Sequence, residues 1–91
     1  MPVFVLAEPK HNYLPRAGYV PDARTAVRIA EAVWIPIYGA KTLADEKPFV
    51  ATRRGNIWYV QGTRTGKAPG GTAEAEIDGQ SGKIIRVSHG K

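Results

Sequence analysis

Residues 20–39, Val20-Pro21-Asp22-Ala23-Arg24-Thr25-Ala26-Val27-Arg28-Ile29-Ala30-Glu31-Ala32-Val33-Trp34-Ile35-Pro36-Ile37-Tyr38-Gly39, read as the one long helix of a small domain. Ala26, Ile29, Ala30, Val33 and Ile37 recur at helical spacing and predict an apolar stripe on one face. Asp22 is placed as N-cap, where its carboxylate takes backbone N–H groups left unpaired in the first turn. Gly39 suits the residue that closes the far end. Pro36 has no N–H for the carbonyl of Ala32 and pushes Ile35 away from helical geometry. A kink or stop is therefore expected near Trp34–Pro36.

Downstream of the helix, Lys41-Thr42-Leu43-Ala44-Asp45-Glu46-Lys47 reads as a polar link or a single helical turn, ended by Pro48. From Phe49 the apolar period changes to two. Phe49–Arg54 and Ile57–Gly62 flank Gly55-Asn56, and a Gly-X pair between such runs predicts a hairpin with a type II′ turn. That turn pairs Arg54 with Ile57, Arg53 with Trp58, Thr52 with Tyr59, Ala51 with Val60 and Val50 with Gln61. Phe49, Ala51, Arg53, Trp58 and Val60 then share the core face, and Val50, Thr52, Arg54, Ile57, Tyr59 and Gln61 the opposite one. Residues 62–71 form a glycine-rich connection, expected to be more mobile than the strands it joins. Its Gly66-Lys67 pair does not make a phosphate-binding loop, because Ala68 stands where a Ser or Thr belongs and no helical pattern follows.

Thr72–Asp78 alternates cleanly, with Ala73, Ala75 and Ile77 inward. The two inward alanines allow a helix to approach closely. Glu74 and Glu76 share the outward face, where they are expected to balance Arg54 and Arg86 across strands rather than to act as catalytic acids. Gly79–Gly82 is a turn, and Lys83–His89 is the last strand. Strict alternation there sends Ile85 and Val87 to the core and Ile84, Arg86 and Ser88 outward. The architecture implied is α+β: one long N-terminal helix packed on an antiparallel meander of three to four strands, of a cystatin-like or nuclear-transport-factor-like kind.

Upstream of the helix, residues 1–20 differ in character. Pro2, Pro9, Pro15 and Gly18 break helices, while Val3–Ala7 suits a short edge strand or an arm on the body or on a neighbour. The chain thus divides into a proline-rich arm, 1–20, and a single domain, 21–91. Its apolar start is too short to span a membrane and lacks the positive lead of a secretory signal, so a cytoplasmic protein is expected.

At 91 residues the chain holds one modest core. It has no cysteine, so disulfide and thiolate chemistry are excluded. The 13 basic residues give a net charge of +5 but are scattered, and only Arg53-Arg54 are adjacent. That spread argues for solvation more than for a nucleic-acid footprint. No Ser/His/Asp set, metal-ligand spacing or cofactor loop is present; His11 lies in the arm and His89 in the last strand.

The ordered set Asp22-Ala23, Ile29-Ala30-Glu31-Ala32, Pro36-Ile37-Tyr38-Gly39, Lys47-Pro48-Phe49, Trp58-Tyr59-Val60-Gln61-Gly62-Thr63, Gly70-Gly71 and Gly82–Lys91 resembles small bacterial immunity proteins with a nuclear-transport-factor-2-like fold. These are encoded beside polymorphic toxins, including Rhs-type and contact-secreted effectors. The resemblance covers residues 20–91. It implies that the protein binds and neutralises a cognate toxin, with no cofactor, no metal and no catalysis. A +5 inhibitor leans toward an acidic or neutral toxin.

Two other function classes compete with that reading. A small-molecule enzyme or carrier needs a hollow, expected among Trp34, Trp58 and Phe49, and a filled core weakens it. A nucleic-acid-binding module would use Arg53, Arg54, Arg64, Lys67 and Tyr59. For the toxin inhibitor, the residues expected to meet the partner are Arg54, Ile57, Tyr59, Arg64, Lys67, Ile84 and Arg86. A homodimer interface would account for the same exposed set.

Overall fold

The computed structural model describes residues 12–64 and 71–90. The expectations for Val3–Ala7, His11, Lys67 and most of the 62–71 connection lie outside them. In chain order the elements are α1 (Ala23–Tyr38), α2 (Ala40–Ala44), β1 (Val50–Arg54), β2 (Ile57–Gln61), β3 (Ala73–Asp78) and β4 (Ile84–His89). The four strands form one antiparallel sheet in the order β1-β2-β3-β4, and α1 lies across one face against β1, β2 and β3.

Helix α1 starts where its cap predicts. Asp22 is extended, and its Oδ1 accepts the Thr25 N–H at 2.8 Å. The hydrogen bonds from Thr25 hold the Asp22 carboxyl below its usual 3.8. The expected stop near Trp34–Pro36 does not occur. The helix runs through Pro36 to Tyr38, and Gly39 closes it by donating its N–H to Ile35 O at 2.9 Å. Proline removes one backbone bond there. The helix nevertheless continues for two residues past the proline, and Trp34, two residues before it, is fully buried and anchors this end.

The buried line also differs from the predicted stripe. Ala26, Ala30 and Trp34 are buried and Tyr38 is half-buried, whereas Ile37 is 57 % exposed. These residues follow a four-residue row, which drifts around the helix as it rises. By the last turn that drift has brought Tyr38 to the sheet and carried Ile37 away. Small residues on both partners, Ala26 and Ala30 opposite Ala73 and Ala75, bring helix and sheet close. Trp34 occupies the wider space beyond them. Its Nε1 donates to Glu74 O at 3.2 Å, and its ring meets Phe49 edge-on at 5.3 Å.

The hairpin has the predicted register at all five pairs, from Arg54↔Ile57 to Val50↔Gln61. Gly55 takes φ 59, and no non-glycine among the described residues has positive φ, which is the type II′ pattern. Trp58 and Val60 are buried, and Trp58 Nε1 donates to Val20 O at 2.7 Å. Val20 is itself fully buried, and its N–H reaches Gly79 O at 3.0 Å while that of Tyr19 reaches Gln80 O at 3.0 Å. The chain just ahead of α1 is thus tied to the β3–β4 turn. Leu43 is buried in the same core and anchors α2, which packs against α1.

Strand β3 alternates as expected, with Ala73, Ala75 and Ile77 fully buried. Strand β4 does not. A bulge opposite Glu76/Ile77 pairs Ile77 with Ile84 and Glu76 with Arg86, so Ile85 is the extra residue. Ile84 therefore packs on the core and Ile85 is 46 % exposed, the reverse of the strict alternation predicted. Beyond the bulge the phase recovers: Arg86 faces out and Val87, opposite Ala75, faces in.

Candidate partner-binding face

The sheet face away from α1 is built from three cross-strand rows. Arg54, Ile57 and Asp78 form one; Thr52, Tyr59, Glu76 and Arg86 the next; Val50, Gln61, Glu74 and Ser88 the third. Because side chains alternate along each strand, the register that buries Trp58, Val60 and Ile77 sends this set to the other side.

Two of the expected site residues, Arg54 and Tyr59, meet directly. The Arg54 guanidinium lies 5.4 Å from the centroid of the Tyr59 ring, a diagonal contact between β1 and β2. Ile57 is half-buried beside them. Burial first, and the neighbouring Glu74 carboxylate second, push the Tyr59 hydroxyl above its usual 10.0.

Arg86 is held by its own sheet. Its Nε donates to Glu76 Oε2 at 2.9 Å, Nη2 to Glu74 Oε1 at 3.1 Å and Nη1 to Ser88 Oγ at 2.7 Å. The Glu76 and Glu74 hydrogen bonds raise the Arg86 pKa further still, so the guanidinium stays charged. Both glutamates thus serve Arg86, and Arg54 takes an aromatic partner instead of the carboxylate expected for it. Asp78 is committed to the β3–β4 turn. It accepts the Ser81 N–H at 2.8 Å and the Gln80 N–H at 2.9 Å, and these bonds hold its carboxyl below 3.8. Across the face, two guanidinium groups stand against three carboxylates, so its local charge is opposite in sign to that of the chain.

The remaining expected residues are placed differently. Ile84 lies on the core side of β4, for the reason the bulge supplies, and is not on this face. Arg64 is exposed at the root of the β2–β3 connection, beside a shallow open hollow of about 450 Å³ that Val50, Gln61, Thr63 and Glu74 also line. Lys67 lies outside the described residues. The hollow does not involve Trp34, Trp58 or Phe49. Those rings fill the core, with Trp34 against Phe49 and Trp58 bonded to Val20.

One cluster was missed from the sequence. Glu46, only 9 % exposed, reaches His89 across 43 positions, with Oε2 2.7 Å from Nε2. Its Oε1 accepts the Ala73 N–H at 2.8 Å. Neither residue shows a periodic signal, and Glu46 sits in the charged run Asp45-Glu46-Lys47. Among the described residues no group of three His, Cys, Asp or Glu side chains is placed to hold a metal ion. No helix among them is long and apolar enough to cross a membrane.

A family model described as NTF2 fold immunity protein matches residues 25–91, from the first turn of α1 through all four strands. No curated protein and no solved structure matches the chain.

Proposed function

The chain belongs to the NTF2 fold immunity proteins, and on that premise we propose that it binds a cognate toxin protein and blocks it, so that the producing cell survives. The family match across the helix and the whole sheet is the observation that carries this reading. Inhibition is by occupation of a toxin surface, with no bond made or broken by the inhibitor, and we place the protein itself in the cytoplasm.

The contact surface we propose is the outer sheet face, centred on Tyr59 and Arg54, with Ile57 and Arg86 beside them and Arg64 and Lys67 in the adjoining connection. Tyr and Arg combine large contact area with directional bonding, which is why they dominate interface energies. Arg86 is preorganised by Glu74, Glu76 and Ser88, so little side-chain freedom is lost when a partner docks. The central face itself carries two guanidiniums against three carboxylates, and the basic residues of the adjoining connection and of the chain as a whole, net +5, favour a neutral or acidic toxin patch.

The test uses the toxin domain encoded beside this chain. Arg54→Ala with Tyr59→Ala should leave the thermal midpoint nearly unchanged and weaken toxin binding by ~2 kcal/mol or more. A folded double variant that binds and protects as well as wild type would reject this face. Sedimentation of the wild type alone separates toxin binding from self-association through the same surface.

A further inference from the structure

The Glu46–His89 contact has a chemical requirement that its distances reveal. His89 Nε2 lies 2.7 Å from Glu46 Oε2, and His89 Nδ1 lies 2.9 Å from Gly90 O. A carboxylate and a carbonyl are both acceptors. A neutral imidazole has one N–H and can satisfy only one of them; the imidazolium has two and satisfies both. The two acceptors, one at each ring nitrogen, are therefore matched by the imidazolium, whose Nε2–H and Nδ1–H donate to Glu46 and Gly90.

Glu46 is also where several chain segments are fastened together. Its Oε1 accepts the Ala73 N–H at the start of β3, and its backbone carbonyl accepts the Thr63 N–H at 2.7 Å, just past β2. Gly62 leaves room for this side chain, since a Cβ there would stand 2.9 Å from Glu46 Cβ. Both ends of the β2–β3 connection, the α2–β1 link and the end of β4 thus converge on one residue, the carboxylate holding Ala73 and His89 and the backbone carbonyl holding Thr63.

We propose that Glu46 and His89 form a proton-controlled latch: protonated His89 holds Glu46 in the position that fastens both ends of the β2–β3 connection to the end of β4, and loss of that proton loosens them. The groups facing His89 agree with this. Glu46 approaches from the α2–β1 link and is the charged group acting on the ring. Tyr38, from the end of α1, presents an uncharged ring at 5.0 Å, and Ala73 stands opposite on β3. The Glu46 hydrogen bond, with a smaller contribution from Gly90, raises His89 above its ordinary 6.5 against the opposing effect of burial. A raised histidine contributes its full stability below 6.5 and loses it as pH climbs through the raised value, so the latch is closed in acid and opens on the alkaline side. The latch involves neither the toxin nor the outer face.

The experiment is an NMR titration of the His89 ring in the whole protein, with amide-exchange protection of Thr63 and Ala73 followed from below pH 6.5 to well above it. Wild type should titrate above 6.5, with protection at both amides falling several-fold as the ring deprotonates. Glu46→Gln retains an oxygen for the Ala73 N–H but removes the charge. It should bring the His89 midpoint down to the ordinary value or below it, since burial then outweighs the Gly90 bond, and flatten the protection profile. His89→Gln, which has nothing to titrate, should flatten the profile as well. Wild-type titration at or below 6.5, or protection at Thr63 and Ala73 that holds constant while His89 titrates, would overturn the latch. The first and last of these readings need no variant to fold.

Discussion

Trp58 shows how one side chain joins parts of the molecule distant in sequence. Its ring is buried under the sheet, its Nε1 holds Val20 O, and Arg53 lies over its face at 5.4 Å. Trp58→Ala removes the largest buried group of β2 and leaves the Val20 carbonyl without its donor. It should cost ~3–5 kcal/mol in denaturant unfolding. An unchanged midpoint would contradict the burial described above. Gly62→Ala tests a tighter spot. The added methyl collides with Glu46, whose two carboxylate oxygens and backbone carbonyl are all engaged. The expected loss is ~1–3 kcal/mol, read from thermal melts. The burial of Trp58 follows from its own alternation. The demand on Gly62 has no local trace, because the group it must admit belongs to another segment.

At the level of elements, local patterns served well wherever the determining interaction is local. The hairpin was legible because its turn and its register are set within a dozen neighbouring residues, and the N-cap because Asp22 and Thr25 are three apart. β3 was legible because one of its faces is wholly buried, which enforces strict alternation. Three features were not legible. The crossing angle of α1, which replaces Ile37 by Trp34 and Tyr38 in the buried line, depends on the sheet beneath it. The bulge in β4 is one inserted residue between two isoleucines, and either could occupy the core. Glu46 and His89 are joined only by folding. Within the candidate face, Arg54, Ile57, Tyr59 and Arg86 followed from register, whereas Ile84 was misplaced by that bulge. Helix α1 itself yields a prediction. Pro36 deprives the last turn of one backbone bond, so Pro36→Ala should raise the unfolding free energy by roughly 1–2 kcal/mol. The helix-interior cost of proline, ~3 kcal/mol, is partly offset by the freedom that alanine returns to the unfolded chain, ~1 kcal/mol. A melting point below wild type would mean that the proline ring supports the end of α1 by packing.

For the whole molecule, the titrating groups define a stability profile with two limbs. Asp22 and Asp78 sit below 3.8, each held by hydrogen bonds, so their contribution is present above that value and fades as pH falls through their lowered folded values. His89 acts in the other direction: its contribution is complete below 6.5 and fades as pH rises through its raised folded value. Thermal midpoints measured across pH should therefore be greatest between the two limbs, and His89→Gln should remove the decline on the alkaline side alone. A decline that persists in that variant would assign it to another group. The sheet also has an outer boundary, since β4 is its last strand among the described residues. A regular strand in that position exposes a row of unpaired N–H and C=O groups, a template on which any extended chain can grow. The extra residue between Ile84 and Arg86 interrupts the row and twists it. The same irregularity that exposes Ile85 thereby guards the protein against stacking into fibres through this edge.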